Sequence, residues 1–342
     1  HVMDDVTEGK LHERPVPRGG GIAIFIAFAV AVLLPNYRDH PMKGVMLGAF
    51  ICMMVGVADD IRGVPAVIKL LTLVLVTMVM SYFGVRVTLT GYAAVDLAIT
   101  LVWIVGVTSA FNGLDNMDGL ASGTAAIVSL MFLIIAVMNF FSAGTEHSLT
   151  WFGLLAAGLF GANLGFLIFN FRPAHLFMGD AGSFFLGFTL AALGVMGQWN
   201  DNRLIAAVIP VLILGVPIAD FAYVLVTRIV RGETRTLRSV IAHCGLDHLS
   251  HRLIWIGFSQ RKSVLFIYLV CVALGITGIL LRSATTFTDT VFALLQGVAI
   301  LTIVAVLMAA VKDRREKSLP RREDAREKGD SLQPRTQEDF LR

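Results

Sequence analysis

Apolar residues fall in long blocks along this chain, separated by short polar stretches instead of alternating with them. Ten blocks approach the ~20 residues that crossing a hydrocarbon core requires. They cover residues 19–35, 43–58, 65–83, 93–110, 119–141, 150–170, 181–199, 203–230, 262–281 and 287–311. A chain in lipid must satisfy its backbone N–H and C=O groups internally, so each block predicts a helix. The expected fold is all-α: a polytopic transmembrane bundle of about ten helices over 19–311. A polar segment (1–18) precedes it, the longest internal loop (229–261) interrupts it, and a charged tail (312–342) follows.

Composition agrees with this reading. Of 342 residues, 56% are hydrophobic and 15% charged, with a mean hydropathy of +0.75. A soluble domain carries about 25% charged residues. Cys52 and Cys271 lie inside apolar blocks and Cys244 in the long loop, with no spacing that reads as a disulfide framework. No cleavable signal peptide is visible, and the polar opening raises the expectation of a missing upstream helix.

Lys and Arg set orientation, being enriched in cytoplasmic loops. Alternate connections, counted from the N-terminus with their helix ends, hold 22 of the 28 basic residues. The opposite set holds Arg38, Lys43, Arg86, Arg203 and Arg282, while Lys69 sits within an apolar block. The basic set is therefore expected to be cytoplasmic. The tail "KDRREKSLPRREDAREKGD" mixes both signs without apolar periodicity and reads as solvated and disordered.

Three acid-bearing motifs fall on that same side, although the orientation argument uses no acids. In "FNGLDNMDGLASG", Asp115 and Asp118 would share a face if a helix has already begun, and Asn112 precedes them. Asp59 and Asp60 in "VADDIRG" end an apolar block, where the helix dipole disfavours carboxylates and a nearby cation would help. Asp180 in "NFRPAHLFMGDAGS" precedes a helix whose first N–H groups suit an anion. Each has an ordinary alternative: helix capping for Asp115, Asp118, Asn170 and Asp180, a hydrated turn with Arg62 for the pair, and lipid or core packing for Phe177. In the long loop, "HCGLDHLSHRL" offers His248, His251 and Arg252. Zinc on Cys244 is disfavoured because no second cysteine lies nearby, so phosphate donors fit this loop better. The opening "GKLHERPVPRGGG" adds Lys10, His12, Arg14 and Arg18 before three glycines. Carboxylates, basic groups and glycines on one membrane face point to a divalent metal, a phosphorylated substrate and a lipid.

Taken in order, "KLHERPVPRGGG", "ADD", "FNGLDNMDGLASG", "NFRPAHLFMGDAGS" and "DHLSHRL" resemble the polyprenyl-phosphate N-acetylhexosamine-1-phosphate transferases over nearly the whole chain. The opening is similar to the branch using UDP-N-acetylglucosamine, and less so to the branch using UDP-MurNAc-pentapeptide, whose histidine segment is a run of three. The resemblance implies an enzyme of the bacterial inner membrane that moves a sugar-1-phosphate from a UDP-sugar to undecaprenyl phosphate, releasing UMP. It implies Mg²⁺, with Mn²⁺ as a substitute, ligated by Asp180 with Asp115 beside it. Asp59 and Asp60 would bind or activate the lipid phosphate. Asn170, Phe177 and Asp118 would hold the uridine, with Asn112 nearby, and Lys10, His12, His248, His251 and Arg252 would face the phosphates. Ser250 stands where relatives often have another His.

A phosphate monoester, with its second pKa at ~6, is mostly a dianion at neutral pH and needs little general base. Direct attack on the diphosphate is favoured, with a covalent intermediate on Asp60 left open. An ion-coupled transporter is the rival class, but such sites lie near mid-membrane between broken helices. Nucleic acid is not an expected partner, and a homodimer is left open.

Overall fold

The computed structural model describes residues 3–4, 16–35, 39–143, 148–197, 199–230, 248–284 and 286–318. Every apolar block is helical. In chain order the described helices are α1 (Gly20–Leu33), α2 (His40–Arg62), α3 (Ala66–Tyr82), α4 (Ala93–Leu114), α5 (Leu120–Ala143), α6 (Ser148–Asn170), α7 (Gly179–Met196), α8 (Arg203–Ile213), α9 (Gly215–Val230), α10 (Leu249–Trp255, within the long loop), α11 (Gln260–Arg282) and α12 (Phe287–Ser318). Among the described residues, seven helices are long and apolar enough to cross a bilayer, and α8 and α9 together pass the same test as a bent pair, the form of a broken span or a re-entrant loop. A 23-residue helix such as α2 rises about 34 Å, enough for the ~30 Å hydrocarbon core. The protein is a polytopic helical membrane protein.

The structure departs from the sequence reading in several places. The 203–230 block is two helices bent by 81° about Leu214, with Pro210 inside the first. Helix α12 continues through the first charged residues to Ser318, so part of the expected tail is helical; the rest of the tail lies outside the described residues. A two-residue antiparallel pairing, Met3–Asp4 (β1) with Val16–Pro17 (β2), joins the otherwise helical fold.

Helix α7 is the centre of the bundle. Residues Ala181–Gly194 are buried without interruption, the pattern of a helix covered on all sides. It packs against α1, α2 and α4, and more lightly against α5, α6 and α8. Small residues let the backbones approach. A Cβ on Gly21 of α1 would stand 2.1 Å from the Gly182 nitrogen, and one on Gly56 of α2 would stand 2.4 Å from the Asp180 carbonyl oxygen. Deeper in, Phe25 meets the Phe185 ring edge-on and Phe28 packs against it at a tilt.

The periphery is apolar as well. Ile26, Val30, Leu71, Leu75, Phe141 and Ile168 are exposed, which suits a surface facing acyl chains. Hydroxyls inside the spans donate to carbonyls one turn back, as Thr77 does to Leu73, Ser129 to Ala125 and Thr189 to Phe185. The ends of α2, α4 and α6 and the starts of α3, α5 and α7 meet at one end of the bundle, and there the polar residues gather.

Candidate active site

Helix α2 carries Asp59 and Asp60 in its last turn and closes on Gly63, whose φ of 69° is left-handed. The Gly63 N–H donates to the Asp59 carbonyl, a helix ending that glycine permits at little cost. The two carboxylates then diverge. Asp59 accepts from the Val64 N–H and from the Lys69 ammonium at the start of α3. Asp60 reaches the first turn of α7, accepting from the Asp180 N–H at 2.9 Å and the Ala181 N–H at 3.0 Å. The anion expected at the start of α7 is thus the chain's own Asp60. Gly179, at φ 72°, leaves room for it: a Cβ there would lie 2.6 Å from an Asp60 carboxylate oxygen.

Asp180 lies inside the first turn of α7, one residue beyond the Gly179 start, and does not cap it. One of its oxygens accepts from Lys69 at 3.0 Å and the other from the Asn112 amide at 3.0 Å. Asn112 also donates to the Ser183 hydroxyl at 3.0 Å. Lys69 therefore links Asp59 to Asp180, and Asn112 ties α4 to α7. The nearby cation that the acid pair calls for is Lys69, whereas Arg62, the counter-charge of the ordinary hydrated-turn alternative, is exposed. A lone lysine in an apolar block was the available signal, since an ionisable group at such a position is functional by default.

Asp115 and Asp118 sit in the turn between α4 and α5, not on one helical face, because α5 begins only at Leu120. The half-buried Asp115 carboxyl has no hydrogen-bond partner among the described residues. Burial pushes it up to about 7, with the Asp180 and Asp60 carboxylates adding to the rise against Arg18. Asp118 accepts from the Ala174 N–H at 3.2 Å.

Asn170 ends α6, is buried, and has its amide engaged. Its oxygen accepts from the Gly119 N–H and the Ser122 hydroxyl, and its nitrogen donates to the Leu176 carbonyl. It orders the two loops that carry Asp118 and Phe177. Half-buried Phe177 pairs with the N-terminal segment: its N–H donates to the Pro17 carbonyl, and its carbonyl accepts from Gly20. This pairing sets Arg18 beside Phe177.

The His-bearing loop forms α10. His248 is buried, with its ring against the α4 backbone at Gly113. Ser250, at the departure from the usual His, donates to the Asn116 side chain at 2.7 Å and so locks α10 to the end of α4. Arg252 turns inward: its guanidinium lies 4.8 Å from the Tyr223 ring centre and donates to the Met308 carbonyl at 2.7 Å. His251 is partly buried on the same short helix. Lys10, His12 and Arg14 lie outside the described residues, as does Cys244.

Among the described residues, no three His, Cys, Asp or Glu side chains converge to hold a metal by themselves. Mg²⁺ does not require such a cage, since it is usually bound by one or two carboxylates plus substrate phosphates. Two carboxylates already converge on a cationic ammonium, and the nearby Asp115 has no hydrogen-bond partner among the described residues. This hard-oxygen set suits Mg²⁺.

These features define a class: a multi-pass helical membrane protein with a carboxylate-lined polar site where one set of helix ends meets. A family profile described as glycosyl transferase family 4 matches residues 42–198. The probable undecaprenyl-phosphate N-acetylglucosaminyl 1-phosphate transferase of Bacillus subtilis (strain 168) is 33% identical over 92% of this chain and 86% of its own length. The chain belongs to glycosyl transferase family 4. The decaprenyl-phosphate N-acetylglucosaminephosphotransferase of Mycolicibacterium smegmatis is 30% identical over 88% of this chain and 80% of its own. A phospho-N-acetylmuramoyl-pentapeptide-transferase of Desulforudis audaxviator is 27% identical over 81% and 88%.

Proposed function

We propose that this protein transfers a sugar-1-phosphate from a UDP-N-acetylhexosamine to a polyprenyl phosphate, releasing UMP and starting a lipid-linked envelope glycan. The donor is UDP-N-acetylglucosamine and the acceptor undecaprenyl phosphate. Relatives whose names carry N-acetylglucosamine support this donor with higher identity than those named for the muramoyl-pentapeptide. The observation that carries the reading is the convergence of Asp59, Asp60, Lys69, Asn112 and Asp180 at one end of a lipid-facing bundle. That end is cytoplasmic in the bacterial inner membrane, on the support of the basic-residue asymmetry.

Asp180 and Asp115 would hold Mg²⁺, which when bound neutralises charge on the diphosphate. Asp60 holds the first turn of α7 in place and thereby orients Asp180. With both of its oxygens on backbone N–H groups it is poorly placed as a nucleophile, which favours direct attack by the lipid phosphate. Lys69 balances Asp59 and Asp180 and offers a cation to an incoming phosphate. The test is a donor panel: purified protein in detergent, undecaprenyl phosphate, and each UDP-sugar in turn, with lipid products read by mass spectrometry. A GlcNAc-diphospho lipid with UMP is the expected product. Transfer from UDP-MurNAc-pentapeptide alone would overturn the donor assignment.

A further inference from the structure

Asp220 carries no role in the account so far, yet it is a carboxylate in an apolar helix, 2% exposed. Burying an unpaired carboxylate is costly, so its partners matter. One oxygen accepts from the Leu249 N–H at 2.7 Å, and the other lies 2.7 Å from His248 Nδ1. A carboxylate only accepts, so Nδ1 carries the proton and Nε2 is the free edge of the ring. That edge faces α4: a Cβ on Gly113 would be 3.0 Å from His248 Cε1 and 3.5 Å from Nε2. Gly113 follows Asn112, which holds Asp180, and stands two residues before Asp115. The ring is thus fixed from behind by α9 and lies against the end of α4 beside Asn112, whose amide holds Asp180.

We propose that Asp220 is a positioning residue for sugar-phosphate transfer, acting through His248; this rests on the transferase reading above. Asp220 fixes the ring so that Nε2 points to the substrate phosphates, and it balances the charge of an imidazolium that donates to a phosphate oxygen. Its bond to the Leu249 N–H anchors α10, and the Ser250–Asn116 bond anchors the same helix to α4. The break between α8 and α9 serves this arrangement, since it turns the segment bearing Asp220 away from the direction of α8 by 81°.

The test is a double-mutant cycle on the purified full chain, reading UMP release from UDP-N-acetylglucosamine with undecaprenyl phosphate. Asp220→Asn keeps shape and an acceptor for the Leu249 N–H but loses the charge, and kcat/KM should fall about ten- to hundredfold. In a His248→Gln background the same change should cost less than about threefold. Asp220→Glu, which keeps the charge, should recover part of the loss. An equal loss in both backgrounds, or no loss at all, overturns the proposal. If Asp220→Asn does not accumulate as folded protein, Asp220→Glu carries the same cycle, and a loss that persists beside His248→Gln overturns it. A wild-type protein without transfer activity overturns the transferase reading and this proposal together, whereas an active wild type with an additive cycle overturns this proposal alone.

Discussion

Replacing Lys69 by methionine keeps the apolar stem and removes the ammonium between Asp59 and Asp180. A hydrogen bond to a charged group contributes about 1.5–3 kcal/mol. The Asp59 carboxylate is 9% exposed, so that arm takes a value within this range. Asp180 is 36% exposed, so its arm is screened to about 0–1 kcal/mol. Lys69→Met should therefore cost about 1.5–4 kcal/mol without metal, and it leaves the two carboxylates facing each other. A cation that binds only the folded state at about a hundred times its Kd returns about 2.7 kcal/mol. Thermal unfolding in detergent, followed by tryptophan fluorescence, should show the variant well below wild type in EDTA and most of that gap closed by saturating Mg²⁺. Wild type should gain less, because Mg²⁺ competes there with the Lys69 ammonium. Equal melting in EDTA, or a gap indifferent to Mg²⁺, would refute the view that Lys69 holds a cation position shared with a metal.

Further outcomes follow from the same geometry. Because Asp115 is protonated below about pH 7, the half-saturating Mg²⁺ concentration for UMP release should rise as pH falls through 7, approaching tenfold per unit. In EDTA the sign for stability is opposite: the folded state binds a proton near pH 6 that the unfolded state does not, so this carboxyl favours folding at pH 6 over pH 8. Unfolding midpoints across that range check it. Gly56→Ala drives a methyl into the α7 backbone at Asp180 and Ala181, and a destabilisation of about 1–3 kcal/mol with reduced transfer is expected. Membrane-impermeant thiol labelling of Arg62→Cys in intact cells should fail while Thr286→Cys labels; the reverse pattern would invert the proposed orientation.

Much of the fold was legible because lipid leaves a chain few options: all ten apolar blocks are helical, with ends within a few residues except at the tail. The bend at Leu214 was not, since an apolar run reads alike whether straight or broken, and Pro210 alone does not give an angle. Motif grouping was legible from loop parity. Partner choice within the cluster was not, because it depends on three-dimensional placement. Asp60 bonds to a helix start 120 residues away, the cation that the acid pair calls for is Lys69, and Arg252 packs inward on Tyr223. Asp220 was passed over as one acid in an apolar stretch, although its burial cost was the same signal that marked Lys69.

In the proposed function, the carboxylates joined through Lys69 and Asn112 form a metal-dependent phosphotransfer site. Mg²⁺-titrated UMP release from UDP-N-acetylglucosamine and undecaprenyl phosphate, compared between wild type and Asp180→Asn, tests it most directly. Wild-type activity should be abolished by EDTA and restored by Mg²⁺, and activity of Asp180→Asn should be lower by orders of magnitude at every Mg²⁺ concentration, since metal stabilisation of a transferring phosphate is worth several kcal/mol. Full turnover by Asp180→Asn, or wild-type turnover unaffected by EDTA, would contradict it and leave these carboxylates as structural ties between helices.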